Sequence, residues 1–124
     1  MVKLFHKEVF WPNLVLGQLA RYQNKTISLS FSRHALQECM RDRYAADYII
    51  PPAKIIFDSN TCFETELTNN LLSKLAIRIK YNPYFDLTMV LIPDDNRAMV
   101  KTVWLNDLRD THKTLNASQY CSKI

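Results

Sequence analysis

Hydrophobic and polar residues alternate along several short segments, which is the pattern of half-buried β-strands. The clearest case is Thr26–Phe31, where three apolar residues alternate with polar ones. The same period, or a run of β-forming residues, recurs further along the chain. These patterns predict additional strands over 54–57, 61–67, 75–81, 85–92 and 99–105.

A helical pattern follows the first strand. Apolar residues between positions 35 and 44 recur at spacings that place them on one helix face, which predicts a helix over 33–44. Ser32 precedes it and offers a side-chain oxygen for the amides of the first turn. The helix could extend over 45–50 before prolines 51 and 52 stop it. Residues 14–22, around Gly17, are compatible with one or two further helical turns.

Together these elements predict an α+β domain in which one main helix packs on a four- to five-stranded, mostly antiparallel sheet. Short turns join the later strands, which favours an antiparallel meander. The length of 124 residues suits one domain. Within it we expect an N-terminal arm or helix over 1–25, a core over 26–106 and a polar tail over 107–124.

Composition excludes several classes of protein. The chain contains one glycine, Gly17, whereas P-loops and dinucleotide-binding loops need several. Its three cysteines have no close pair, which argues against a disulfide framework or a zinc site. We therefore expect no cofactor and no bound metal. The sequence shows no signal-peptide pattern and no apolar run that could span a bilayer, so we expect a cytoplasmic protein without a membrane partner.

The charge balance is mildly basic. Lys and Arg number 16 and Asp and Glu number 12, for a formal net charge of +4. Such an excess permits a nucleic-acid partner without requiring one.

His34 is the first candidate catalytic residue. It lies in the first turn of the predicted helix, and Glu38 and Arg41 follow on the same face. A helix N-terminus disfavours a charged imidazole and attracts anions, so a neutral His34 beside an arginine could act as a general base near a phosphate. The alternative is a solvated helix face on which Glu38 pairs with Arg41.

His112, shortly after the last predicted strand, is a second acid–base candidate. Two such groups and a cation suffice to cleave RNA without a metal. One group deprotonates the 2′-hydroxyl, the other protonates the leaving 5′-oxygen, and the cation stabilises the phosphorane. The alternative is a histidine without a function in a polar tail.

A basic sheet surface is the candidate for binding nucleic acid. Arg78 and Lys80 share one face of their predicted strand, Lys101 lies on a neighbouring strand, and Trp104 adds an aromatic ring. Such surfaces bind single-stranded RNA through phosphate contacts and base stacking. The alternative is a set of ordinary exposed cations beside core aromatics.

Two segments resemble a known family. Residues 28–36, followed by 40–43, resemble a strand-then-helix signature of the form S-x-H-A-L-x-x-x-x-x-R, and residues 101–106 resemble a closing strand. The combination is similar to small bacterial and phage domains of the BrnT and RelE type, which share a fold with barnase, EndoU-like nucleases and tRNA-cleaving colicins. The resemblance implies one or two helices against a curled antiparallel sheet.

The resemblance also implies roles for particular residues. His34 would be the helix histidine, and Arg41 or Arg43 the helix arginine that grips phosphate. Thr102 would be the polar residue of the closing strand and would donate a hydrogen bond to phosphate, with Trp104 following it.

We therefore expect an RNA-acting protein, specifically a metal-free, toxin-like endoribonuclease whose partners are RNA and a neutralising antitoxin. The alternative is a catalytically inactive phage- or plasmid-encoded module that binds a host protein or nucleic acid. A third hypothesis is a structural component of a virion or scaffold that forms an obligate oligomer. The sequence leaves the oligomeric state open.

Overall fold

The structure, a computed structural model, describes residues 12–40, 48–107 and 120–122. In these ranges the chain forms two α-helices and one seven-stranded sheet. The helices are α1 (Asn13–Ala20) and α2 (Arg33–Met40). The strands are β1 (Thr26–Phe31), β2 (Lys54–Ile56), β3 (Cys62–Thr68), β4 (Leu71–Lys80), β5 (Phe85–Asp94), β6 (Arg97–Asp107) and β7 (Tyr120–Ser122). A short 3-10 helix, Ser59–Thr61, precedes β3.

The order of strands across the sheet is β2-β1-β6-β5-β4-β3-β7. Strands β3 to β6 form the predicted antiparallel meander. Strand β1 instead lies parallel to β6, with Phe31 opposite Val100. The predicted α+β class is confirmed, but one helix on four to five strands is wrong. A second helix forms within residues 12–25, and β7 adds to the edge of β3.

Local sequence signals set the ends of several elements. β1 has the bounds that its alternation predicts. The β3–β4 hairpin turns at Asn69 and Asn70, whose φ angles are 53° and 65°, and the β5–β6 hairpin turns at Asp95, with φ of 61°. Asn and Asp tolerate this left-handed conformation better than other non-glycine residues, which explains two tight turns without a glycine.

Helix α2 begins at the predicted cap. The Ser32 Oγ accepts a hydrogen bond of 3.0 Å from the Ala35 amide. The Ser32 amide in turn donates to the Val100 carbonyl at 3.0 Å, so the cap also continues the pairing of β1 with β6. The helix is described to Met40, and the predicted continuation over 41–44 lies outside the described residues.

Both helices cover one face of the sheet. Val15 and Leu19 of α1 and Ala35 and Cys39 of α2 are buried in the main hydrophobic core. The strands contribute alternate residues to the same core, among them Ile27, Leu75, Ile77, Leu87, Met89, Val103 and Leu105. Fully burying an aliphatic side chain of this kind stabilises the fold by about 1.5–3 kcal/mol.

The opposite face of the sheet is buried in one half and open in the other. Around β3, β4 and β5, Phe63, Ala76 and Val90 form a second buried cluster, against which Trp104 packs. Around β1 and the first half of β6, side chains such as Ser28 and Arg97 are exposed. We call this exposed part the open half of the sheet.

In the three ranges that the structure describes, no helix combines the length and the apolar character needed to cross a membrane. The first 11 residues of the predicted arm and residues 108–119 of the predicted tail lie outside those ranges.

Candidate functional site

The carboxylate of Glu38 joins α2 to β6. Its Oε1 accepts hydrogen bonds from the Thr102 hydroxyl at 2.6 Å and from the Val103 amide at 3.0 Å. β1 pairs with β6 only as far as Phe31 and Val100, so no strand of the described ranges lies beside β6 at this point. Glu38 therefore takes the place of a neighbouring strand and satisfies a backbone donor that the sheet leaves unpaired.

His34 lies one helical turn before Glu38 on the same face of α2. Its Nε2 is 3.4 Å from the Glu38 Oε2, the carboxylate oxygen that β6 does not use. The His34 side chain is 67% exposed, whereas that of Glu38 is 15% exposed. The exposed imidazole of His34 therefore contacts a carboxylate that hydrogen bonds to β6 hold in position.

This arrangement suits proton transfer. A carboxylate beside one imidazole nitrogen selects the tautomer with its proton on that nitrogen and leaves the other nitrogen basic. In His34 the nitrogen beside the carboxylate of Glu38 is Nε2. Two of the predicted site residues, His34 and Thr102, are therefore brought together, and Glu38 is the residue that links them. We call His34, Glu38 and Thr102 the helix–strand cluster.

Cations lie close to the helix–strand cluster along the chain. Arg33 precedes His34, Lys101 precedes Thr102, and both side chains are exposed. The Ser32 hydroxyl donates a 3.2 Å hydrogen bond to the Lys101 carbonyl and so fixes the start of α2 against this part of β6.

Arg78 has a different environment from the one predicted. Its Nε donates to the Asp86 Oδ2 at 2.9 Å and its Nη2 donates to the Asp107 carbonyl at 2.5 Å. Only 9% of its side chain is exposed. Asp86, on the adjacent strand β5, forms an ion pair with Arg78. The guanidinium of Arg78 is therefore largely buried and already paired.

The other predicted nucleic-acid contacts are dispersed. Lys80 is exposed at the end of β4, and Lys101 is exposed beside the helix–strand cluster. Trp104 is partly buried, and its Nε1 donates to the Asn106 Oδ1 at 2.6 Å. Trp104 is two residues after Thr102 on β6 and Arg78 is two strands away from Trp104 on β4, whereas Lys80 lies at the far end of β4.

Three further predicted site residues, Arg41, Arg43 and His112, lie outside the described residues. Their predicted roles as phosphate ligands and second acid–base group stay predictions.

Two buried polar groups lie on the partly covered face of the sheet. The Thr88 Oγ1 and the Asn106 Nδ2 have no hydrogen-bond partner in the described part of the chain. Among those same residues, no three His, Cys, Asp or Glu side chains are placed to hold a metal ion.

Two exposed cations on the open half of the sheet, Arg97 and Lys54, were not among the predicted site residues. They lie on either side of Ser28, which is opposite Lys54 on β2 and Arg97 on β6. Alternation along β1 did place Ser28 on the polar face, but neither cation could be assigned to that face before the strand order was known. In the sequence, only the alternation of β1 indicated this polar face.

Comparisons with protein-family models, with curated proteins and with solved structures gave no match. The resemblance to the BrnT and RelE domains therefore stays a prediction from the motif residues.

Proposed function

We propose that the protein acts on RNA as a metal-independent endoribonuclease, with His34 as the proton acceptor. The observation that carries this proposal is the 3.4 Å approach of the exposed His34 imidazole to the Glu38 carboxylate, which β6 anchors by two hydrogen bonds. A base oriented by a second group, itself held by the fold, is a recurring arrangement in acid–base catalysis.

The proposed reaction is an internal transesterification. The His34 Nδ1 takes the proton of a ribose 2′-hydroxyl, and that oxygen attacks the adjacent phosphorus. The bond from phosphorus to the 5′-oxygen breaks, and the leaving oxygen takes a proton from a general acid, for which His112 is the candidate. The products are a 2′,3′-cyclic phosphate and a 5′-hydroxyl end.

Glu38 acts as a positioning residue in this scheme. Its Oε2 holds the imidazole while Oε1 is tied to Thr102 and Val103. Glu38→Gln keeps an acceptor for β6 but removes the charge beside His34. We expect this change to lower kcat and to leave KM almost unchanged, because Glu38 does not contact the substrate.

The test is cleavage of total cellular RNA by the purified protein in excess EDTA. We expect the wild type to cleave and His34→Gln to lose about 100-fold or more of the rate, the usual contribution of a positioned acid or base. Gln37→Ala, at an exposed neighbouring position on the same helix, is the matched control and should cleave normally.

The ends of the fragments supply a second readout. Products of the proposed reaction accept a phosphate from polynucleotide kinase directly, because their 5′-ends are hydroxyls. Fragments that carry a 5′-phosphate, or a His34→Gln variant as active as the wild type, would refute the assignment of His34.

A second candidate function is a non-catalytic binding module. Leu36 and Met40, one turn apart on α2, are 45% and 78% exposed and form an apolar strip on the helix that carries His34. Absence of cleavage by a folded wild-type protein would favour this function over the nuclease.

A further inference from the structure

A groove of about 440 Å³ lies on the open half of the sheet. It is formed where β1 lies beside the first residues of β6 and the last residues of β5. Its size falls within the range of about 300–1,000 Å³ that is usual for ligand sites. The side chains that line it include Ser28, Ser30, Ile92, Asp94, Arg97 and Met99.

The strand register arranges polar and charged residues in a row across this groove. Lys54 on β2 is opposite Ser28 on β1, Ser28 is opposite Arg97 on β6, and Arg97 is opposite Asp94 on β5. Residues opposite each other in neighbouring strands project from the same face of the sheet. Two strand spacings separate the backbones of Lys54 and Arg97, a distance of about 10 Å.

The next row towards α2 is less polar. Ser30 on β1 is opposite Met99 on β6, and Met99 is opposite Ile92 on β5. Met99 is 39% exposed, which is unusual for a large apolar side chain in the middle of a sheet face. A flat apolar group, such as a nucleic-acid base, can pack on Met99 and Ile92.

Three exposed cations lie in or beside the groove. Lys54, Arg97 and Lys101 are all exposed, and in the ranges that the structure describes none of them has a carboxylate within 4.0 Å. Asp94 is the acidic member of the lining. The hydroxyls of Ser28 and Ser30 are exposed and make no side-chain hydrogen bond to another described residue.

The groove leads towards the helix–strand cluster. Residues alternate in exposure along the first part of β6, so Arg97, Met99 and Lys101 share the open face. Thr102, which donates to Glu38, is the next residue. Arg97 and Lys101 are four positions apart on β6, and Lys101 lies at a register shift between the paired residues Val100 and Thr102.

We propose that this groove binds the backbone of a single-stranded RNA segment and guides it towards His34. Arg97, Lys54 and Lys101 contact phosphates, and the Ser28 and Ser30 hydroxyls pair with ribose 2′-hydroxyls. A base packs on Met99 and Ile92, which requires an unpaired base and excludes a duplex. This inference rests on the proposed function, because it names the substrate class of the same site.

Binding of a fluorescent single-stranded oligouridylate, followed by anisotropy, tests the groove. The measurement uses the His34→Gln protein, in which cleavage is blocked and the groove is unchanged. Arg97→Ala in that background should weaken binding about tenfold, the effect of one lost charged hydrogen bond. Asp94→Asn should tighten binding, because it removes the one acidic lining group that repels phosphate.

The salt dependence of the RNA affinity measures how many phosphate contacts the protein makes. Three phosphate contacts to a single strand predict a slope of log affinity against log salt of about −2, and Arg97→Ala should reduce it to about −1.4. Lys80→Ala is the matched control, because it removes an exposed cation at the far end of the sheet and should change neither the affinity nor the slope.

The outcomes separate this inference from the nuclease proposal. If His34-dependent cleavage occurs but Arg97→Ala and Asp94→Asn bind RNA like their parent, the groove assignment fails alone. Equal binding of a single-stranded DNA or of an RNA duplex overturns the single-stranded RNA assignment. If the wild-type protein neither binds nor cleaves RNA, the proposed function itself fails.

Discussion

At the scale of single residues, Glu38 connects the helix, the strand and the candidate base. Its Oε1 accepts hydrogen bonds from the Thr102 hydroxyl and the Val103 amide of β6, and its Oε2 lies beside His34. The i,i+4 spacing of His34 and Glu38 is visible in the sequence, but Thr102 and Val103 are 64 and 65 positions away from Glu38. The sequence therefore predicts that His34 and Glu38 lie on one helix face, and only the fold reveals their contact and adds the strand.

This role predicts a stability effect that is independent of activity. Glu38→Ala leaves the Val103 amide and the Thr102 hydroxyl without their acceptor, which should lower the free energy of unfolding by about 1–3 kcal/mol. Glu38→Gln keeps an acceptor oxygen and should cost less. Urea denaturation measures both, with Gln37→Ala as the neutral comparison. An alanine variant as stable as the wild type would show that Glu38 does not anchor α2 to β6.

The partner of Arg78 could not be predicted from the sequence. Strand alternation correctly put Arg78 on the face opposite the main core. It could not reveal that Asp86 lies beside it, because the register of β4 and β5 decides which side chains are neighbours.

At the scale of elements, the local signals were informative. Alternation predicted β1 with its observed bounds, and Ser32 caps α2 as expected. Turns at Asn69, Asn70 and Asp95 coincide with the polar breaks in the pattern. These features depend on nearby residues alone, which is why the sequence reveals them.

The β3–β4 turn supports a prediction at this scale. Asn70 has a φ of 65°, so Asn70→Ala should destabilise the protein by about 1 kcal/mol, and Asn70→Gly should not destabilise it. Thermal or urea unfolding gives the comparison. Asn60→Ala, at an exposed position with a negative φ, is the control and should stay within about 0.5 kcal/mol of the wild type. Equal losses in the alanine and glycine variants at position 70 would argue against the left-handed turn.

At the scale of the whole molecule, the decisive feature is the parallel pairing of β1 with β6. It places an early strand in the interior of the sheet and creates the open face on which Ser28, Arg97 and Lys54 meet. It also ends beside α2, where Glu38 continues the edge of β6. Both proposed sites depend on this one pairing.

Hydrogen exchange tests the pairing directly. β5 lies between two long strands and has a buried centre, so its central amides should exchange slowest. β2 has three residues at the end of the sheet, and its amides should exchange at least about 100-fold faster. β1 should be intermediate, because β2 and β6 flank it. Exchange of β1 as fast as that of β2 would mean that β1 does not pair with β6.

The sequence by itself determined the α+β class, most of the strand and turn positions, the cap of α2 and the shared helix face of His34 and Glu38. All of these follow from residues within a few positions of one another, where periodicity and backbone preference act. Only the tertiary structure decided the strand order, the partner of Arg78, the contact of Glu38 with Thr102 and the groove that Arg97 lines. These depend on which distant segments lie side by side, and that is set by the joint burial of apolar faces across the whole chain, not by any local pattern.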